Sequence, residues 1–330
     1  MEKTRWAIVG TGHISNQFAK GMECVSDASL EAVVSRSSMG GEKFAKRYNA
    51  ESWYTDFETM LEEVQPDVVY LGIPNDAHFS YIMKALEAGV HVLSEKPMVD
   101  NEKQLEEILG KAREKKLFLM EGMWTRCFPA VRQARQWMEE GQIGKALSVR
   151  AGFDIKPNPG DWQPWKAGIA HSGSALRDVG IYSLGMAYLA FPEGPCQVHS
   201  TRQMNSEVDI SSQLMLCYDE GRSAFLSGSF NSEGMHEAVI MGEDGSITIG
   251  PEFWHPEHAV LKKYNGSKTT FELPYQSTGF QYEIMEVQEC LKACRQESPT
   301  FTWQESTNIG KLIEDTRKEW GIFYEADNHI

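Results

Sequence analysis

Two segments hold side chains suited to moving a proton while a hydride moves. Ser94-Glu95-Lys96-Pro97 follows the apolar run Val90-His-Val-Leu93, so Lys96 stands at the carboxyl end of an expected strand. In Gly173-Ser-Ala-Leu-Arg-Asp-Val-Gly-Ile-Tyr182, Asp178 and Tyr182 are four residues apart. One turn of an expected helix then sets both on one face. An ammonium beside a phenol stabilises the phenolate, and the phenol can give or take the proton of an alcohol–carbonyl interconversion. In this reading Tyr182 is the acid/base, Lys96 tunes it and polarises the substrate oxygen, and Asp178 orients the substrate. The scheme requires Lys96 and Tyr182 to meet over a nicotinamide ring. Taken alone, Glu95-Lys96 reads as a surface pair after a strand.

A third segment supplies the place for such a ring's cofactor. Trp6-Ala-Ile-Val9 runs directly into Gly10-Thr11-Gly12-His13-Ile14-Ser15, ahead of an expected helix. Gly10 permits a tight turn, Gly12 lets a pyrophosphate approach the backbone, and the helix offers unpaired N–H groups to the anion. A site for NAD usually places a carboxylate about 20 residues on, at the end of the second strand, to bind the ribose 2′-hydroxyl. Here that strand ends Val34-Ser35-Arg36-Ser37. Arg36 can pair with a 2′-phosphate and the neighbouring hydroxyls can donate, so NADP is expected, with NAD as the alternative.

Lesser candidates surround these. Pro74, Asn75 and His78 open a helix after another strand and could reach the nicotinamide ribose or substrate; equally, Asn75 or Asp76 could cap the helix. Glu95, Lys96, Trp124 and Arg126 are expected to contact the cofactor; Trp124, Arg126 and Phe128 could also wall a pocket, and Trp162 and Trp165 sit in a Pro/Gly-rich loop that could cover it. His255-Pro-Glu-His258 has the spacing of a metal pair, but Pro256 lies inside it and no third ligand is near. A turn between strands explains it better, and no metal is expected.

The elements that must position these groups can be read from periodicity. Over the first ~120 residues, short continuous apolar runs alternate with amphipathic helical stretches, the pattern of a doubly wound parallel sheet covered on both faces. From Lys145 to Phe271 strand patterns dominate, with turn signals at Asp219-Glu-Gly221, Glu243-Asp-Gly245 and Asn265-Gly266. Helices are expected over 175–189, 280–295 and 304–320. The fold class is therefore α/β: a Rossmann domain over 1–122, then an α+β domain with a large open, mainly antiparallel sheet over 123–330.

Of 330 residues, 47 are acidic and 32 basic, a formal net charge of −15. Such a surface repels phosphate backbones, so nucleic acid and anionic membranes are not expected partners. No run approaches the ~18 apolar residues of a membrane span, and the start of the chain does not read as a signal peptide. Six scattered cysteines form no CxxC pair, which fits a reduced, cytoplasmic setting. Cys290 and Cys294, one helical turn apart, read as two core thiols.

Gly10-x-Gly12, Glu95-Lys96-Pro97-Met98 and Asp178-Val-Gly-Ile-Tyr182 together resemble the Gfo/Idh/MocA oxidoreductases. Glu121-Gly-Met-Trp124-Thr-Arg126-Cys-Phe128-Pro129 is similar to the subgroup around dimeric dihydrodiol dehydrogenases and glucose–fructose oxidoreductase. The resemblance spans essentially the whole chain. It implies an active-site role for Lys96, often beside a cis Lys-Pro bond, and Tyr182 where other members carry a catalytic His. It also implies a homodimer or higher homo-oligomer built through the second sheet. The sequence departs from the family at His171-Ser172-Gly173-Ser174 and at Arg177, which bears on the substrate more than on the reaction. The expected activity is an NADP(H)-preferring oxidoreductase acting on a secondary alcohol or carbonyl of a cyclic polyol, sugar or trans-dihydrodiol. The alternatives are a sugar oxidoreductase that retains its cofactor and a non-catalytic NADP(H)-binding regulator.

Overall fold

The computed structural model describes residues 3–158 and 164–328, without the side chains of residues 164 and 165. The chain packs as two compact units, Met1–Gly122 with Tyr275–Ser306, and Met123–Pro274 with Thr307–Ile330.

The first unit alternates β1 (Thr4–Val9), α1 (His13–Met22), β2 (Ala28–Val34), α2 (Ser38–Tyr48), β3 (Ser52–Tyr54), α3 (Phe57–Val64), β4 (Val68–Leu71), α4 (Asn75–Glu87), β5 (His91–Glu95), α5 (Glu102–Lys115) and β6 (Leu119–Gly122). All pairings are parallel, in the order β3-β2-β1-β4-β5-β6. Four consecutive residues at the end of β1 and all of β4 are buried, as strands covered on both faces must be. The order reverses between β1 and β4, the switch point where such sheets bind ligands. The short edge strand β3 carries too few residues to show a period and has no counterpart in the sequence reading.

The second unit opens with the 3₁₀ turn Trp124–Cys127 and α6 (Pro129–Glu139), which the sequence reading left unassigned although Pro129 marks a helix start. Then come β7 (Ala146–Asp154), a π turn (Leu176–Gly180), α7 (Ile181–Ala190), β8 (Gln197–Met204), β9 (Asp209–Cys217), β10 (Ser223–Ser229), β11 (Ala238–Gly242), β12 (Gly245–Ile249), β13 (His258–Lys263) and β14 (Lys268–Glu272). The eight strands follow the order β14-β13-β12-β11-β7-β10-β9-β8, antiparallel except for β7 with β10. The three expected turns join β9 to β10, β11 to β12 and β13 to β14.

Two helices end the chain, α8 (Gln281–Lys292) and α9 (Trp303–Glu319). The division at 122/123 coincides with a packing boundary, but 275–306 pack with the first unit and not with the rest of 123–330. The cause is local: a Cβ on Gly21 would come within 2.8 Å of the Phe280 Cβ, so the glycine lets α8 lie close on α1. Phe280 then meets Phe18, which stacks on Tyr70 with centroids 3.6 Å apart. The reading of Cys290 and Cys294 as two core thiols is corrected. Cys290 is buried, whereas Cys294 lies beyond the end of α8 and is exposed.

Candidate active site

In the first unit the glycine turn is built as the spacing required. Gly10 has φ +95°, and a Cβ there would collide with the Gly72 carbonyl oxygen. Ser15 is fully buried and its hydroxyl donates to that carbonyl at 3.3 Å, which ties α1 to the end of β4. Gly12 is the N-cap of α1 with no side-chain cap, and a Cβ on it would meet nothing within 4 Å. Open space above uncapped N–H groups fits a dinucleotide pyrophosphate. Asn16, which sequence reasoning missed, braces the turn. Its amide donates to the carbonyls of Thr11 (3.2 Å) and Gly12 (2.7 Å), and its oxygen accepts from the Tyr48 hydroxyl at 2.9 Å. His13 and Ile14 occupy the first two positions of α1.

The end of β2 lies beside this turn. The hydroxyls of Thr11 and Ser35 are 3.2 Å apart, with Ser35 buried and Arg36 and Ser37 exposed. Ser37 caps α2 by accepting from the Gly40 N–H at 3.1 Å, which leaves its own proton available to a ligand.

The segment around Lys96 is held by buried polar groups. Glu95 is 9 % exposed and accepts from the Tyr70 hydroxyl at 2.7 Å. The Lys96–Pro97 bond is cis. The Met98 N–H donates to Glu121 at 3.0 Å. A second acid, Glu283 of α8, is fully buried, and neither carboxyl oxygen has a hydrogen-bond partner among the described residues. Burial, then the nearby Glu95, holds its pKa well above the usual carboxylate range.

Two expected ligand contacts in this unit take other forms, and an expected helix cap is not made. His78 is fully buried, with Nδ1 2.9 Å from the Pro97 carbonyl and Nε2 3.0 Å from that of Ile73, so it ties the Pro97 turn to the segment after β4. Glu95 likewise faces inward to Tyr70. Neither Asn75 nor Asp76 caps α4: the N-cap is Pro74, without a side-chain bond, and Asn75 is the first helical residue.

In the second unit Tyr182 is 8 % exposed, its ring 5.5 Å from Phe153. Phe153 stacks on Trp254 at 3.6 Å, and a series of ring contacts continues through His255 to Trp124 and Phe128. Phe153 and Trp254 lie far from Tyr182 in sequence, and no spacing announced them. The simple one-turn relation of Asp178 to Tyr182 is corrected: the π turn widens the helix between them, so the α-helical spacing does not apply. Asp178 pairs with Lys166 at 3.0 Å, another residue the sequence reading passed over. Arg126, expected at the cofactor, is buried and donates to the Gly185 carbonyl at 2.8 Å, which fixes α7 from within. Trp162 lies outside the described residues.

Residues 4–123 match the model of an oxidoreductase family with an NAD-binding Rossmann fold, GFO_IDH_MocA, and residues 131–248 match the GFO/IDH/MocA C-terminal domain. The chain belongs to the Gfo/Idh/MocA oxidoreductase family. Across 333 residues it is 28% identical to trans-1,2-dihydrobenzene-1,2-diol dehydrogenase of Xenopus tropicalis, covering 97% of this chain and 99% of that one. Its fold is shared with KijD10, a 3-ketoreductase from Actinomadura kijaniata in complex with NADP, at TM-score 0.81 and 24% identity over 96% of this chain and 98% of the other. It is shared also with a levoglucosan dehydrogenase in complex with NADH and levoglucosan, at TM-score 0.86 and 18% identity over 96% and 97%. Membership makes the first unit an NAD(P)-binding domain and the chain an NAD(P)-dependent oxidoreductase. Among the described residues no helix is long and apolar enough to cross a membrane.

Proposed function

We propose that this oxidoreductase prefers NADP(H) and acts on a secondary alcohol or carbonyl of a cyclic polyol, sugar or trans-dihydrodiol. The nicotinamide, when bound, accepts or gives a hydride at its C4. In the oxidative direction the substrate hydroxyl gives its proton to the Tyr182 phenolate, and the reverse direction returns it. Lys96 would polarise the substrate oxygen. Asp178, paired with Lys166, orients substrate hydroxyls. Gly10, Thr11, Gly12, His13 and Ile14 would hold the pyrophosphate, Ser35, Arg36 and Ser37 would receive the 2′-phosphate, and Pro74 and Asn75 would contact the nicotinamide ribose.

The observation that carries this reading is the surroundings of Tyr182. A nearly buried phenol stands against a series of stacked aromatic rings, with a carboxylate in the adjoining π turn. Aromatic faces suit the C–H face of a ring substrate, and they exclude water from the reacting carbon. The dehydrogenase relatives named for a dihydrodiol support the same substrate class.

The subunits are proposed to associate through the outer face of the eight-stranded sheet. There the paired residues Met215 and Phe225 are 38% and 44% exposed, with Arg150 beside them in register. A cytoplasmic location is part of the same proposal.

A screen of trans-diols, aldoses, inositols and dicarbonyls followed by NADPH absorbance tests the activity. With a turned-over substrate, Tyr182→Phe should lower kcat by about 10²- to 10⁴-fold while NADPH affinity stays near wild type. Undiminished turnover removes Tyr182 from the mechanism. Tight NADPH binding with no turnover across the panel favours the regulator reading.

A further inference from the structure

The π turn that carries Asp178 is fastened at both ends, and neither fastening touches the reacting groups. Its first residue, Leu176, donates its N–H to Oδ2 of Asp209 at 2.8 Å. At its last residue, a Cβ on Gly228 of β10 would come within 2.7 Å of the Gly180 N and Cα, so the glycine lets the turn lie directly on the sheet. Just beyond, the Ser183 hydroxyl donates to the Ser227 carbonyl at 2.8 Å. Between these ends Arg177 points inward, 1 % exposed, with its guanidinium 4.9 Å from the centre of the Tyr324 ring. Arg317 lies 4.4 Å from the same ring and pairs with Asp327 at 2.6 Å.

The geometry points to Asp209 as a positioning residue, whose buried carboxylate holds the π turn open and so sets Asp178 and Tyr182 for the reaction proposed above. A π turn contains one residue more than an α turn, and that winding persists only where the surrounding structure enforces it. Asp209 is fully buried, and its Oδ1 has no hydrogen-bond partner among the described residues. An anion in that position strengthens the bond to the Leu176 N–H, about twofold over a neutral acceptor. The Arg177 N–H donates to the Ser174 hydroxyl at 3.3 Å, and Ser174 bonds Asp209, so the inward Arg177 belongs to the same fastening.

The charged and titratable groups around Asp209 come from each neighbouring element: Arg177 of the π turn, Arg202 of β8, and Tyr324, with Arg317 of α9 and Asp327 one step further. Burial raises the Asp209 pKa to about 6, against the lowering effect of the Leu176 N–H, Ser174 and Arg202. The carboxylate is therefore lost within a range the protein can experience. Because the folded value lies above the unfolded one, this group favours folding at low pH, and its contribution declines as the pH rises through about 6. An Asp209→Asn protein should consequently melt no lower than wild type at pH 8.

Two measurements on the full-length protein test this, and they separate the fastening from the catalytic reading on which it rests. Hydrogen exchange of residues 176–182, compared at pH 8 in wild type and Asp209→Asn, reads the fastening without any substrate. The expected result is at least tenfold faster exchange confined to that segment, and unchanged exchange there overturns the inference. The pH profile of kcat/KM reads the consequence. Wild type should fall as pH drops through about 6, while Asp209→Asn should show a lower plateau without that limb. A variant that keeps the wild-type limb and plateau also overturns it. Should Asp209→Asn exchange faster as expected while wild type turns over nothing, the fastening stands and the catalytic reading fails.

Discussion

The imidazole of His78 sits between two backbone carbonyls, 2.9 Å from that of Pro97 and 3.0 Å from that of Ile73, with no part of the ring exposed. It joins the start of α4 to the turn that follows Lys96. A neutral imidazole donates from only one nitrogen, so the pair of carbonyls engages both nitrogens as donors only in the imidazolium form. Replacement by Ala leaves a cavity and two carbonyls without this partner. His78→Ala should lose about 2–4 kcal/mol of unfolding free energy in urea titration. A variant of unchanged stability would show that His78 holds nothing in place.

The two glycines of the first turn should respond differently. Gly10→Ala forces a Cβ onto the Gly72 carbonyl at a positive φ, and should cost about 1–3 kcal/mol of stability. Gly12→Ala adds its methyl to open space, so the unfolding curve should move by less than about 0.5 kcal/mol. Its effect should appear in NADPH affinity, measured by fluorescence titration, because the methyl occupies the approach of the pyrophosphate. Equal stability losses in both proteins would contradict the geometry.

Arg36 is exposed just past the end of β2, where no carboxylate is available for a ribose hydroxyl. A charge-assisted contact to a 2′-phosphate contributes about 1.5–3 kcal/mol. Arg36→Ala should therefore weaken NADPH binding by about ten- to a hundredfold and leave NADH nearly unaffected. Equal wild-type affinities for the two cofactors would dispose of the assignment.

Glu283 sets a pH signature in the first unit. Its folded pKa is raised, so its favourable share of stability is present at low pH and is lost as the pH rises through that value. Glu283→Gln removes the buried charge while keeping the shape. Urea titrations should find the variant more stable than wild type at pH 8, with the difference shrinking toward pH 5. A difference that grows on acidification would reverse the sign and refute the account.

Much of this was legible along the chain. The glycine turn, the alternation that makes a parallel sheet, and the hairpin turns are all local: each depends on residues a few positions apart. The same holds for the missing carboxylate after β2. Those features determined the fold class and marked Lys96, Asp178 and Tyr182 as the residues to follow. Tertiary structure decided which polar side chains face inward. His78, Glu95 and Arg126 read from sequence as candidate ligands or surface charges, yet each is buried, because each finds a partner in a distant segment that no spacing relates. It also decided the π winding before Tyr182, which rests on Asp209 and Gly228, and the return of α8 to the first unit, which rests on Gly21 meeting Phe280. Periodicity reports what a short stretch prefers, whereas burial and hydrogen bonding depend on what the folded chain brings alongside it.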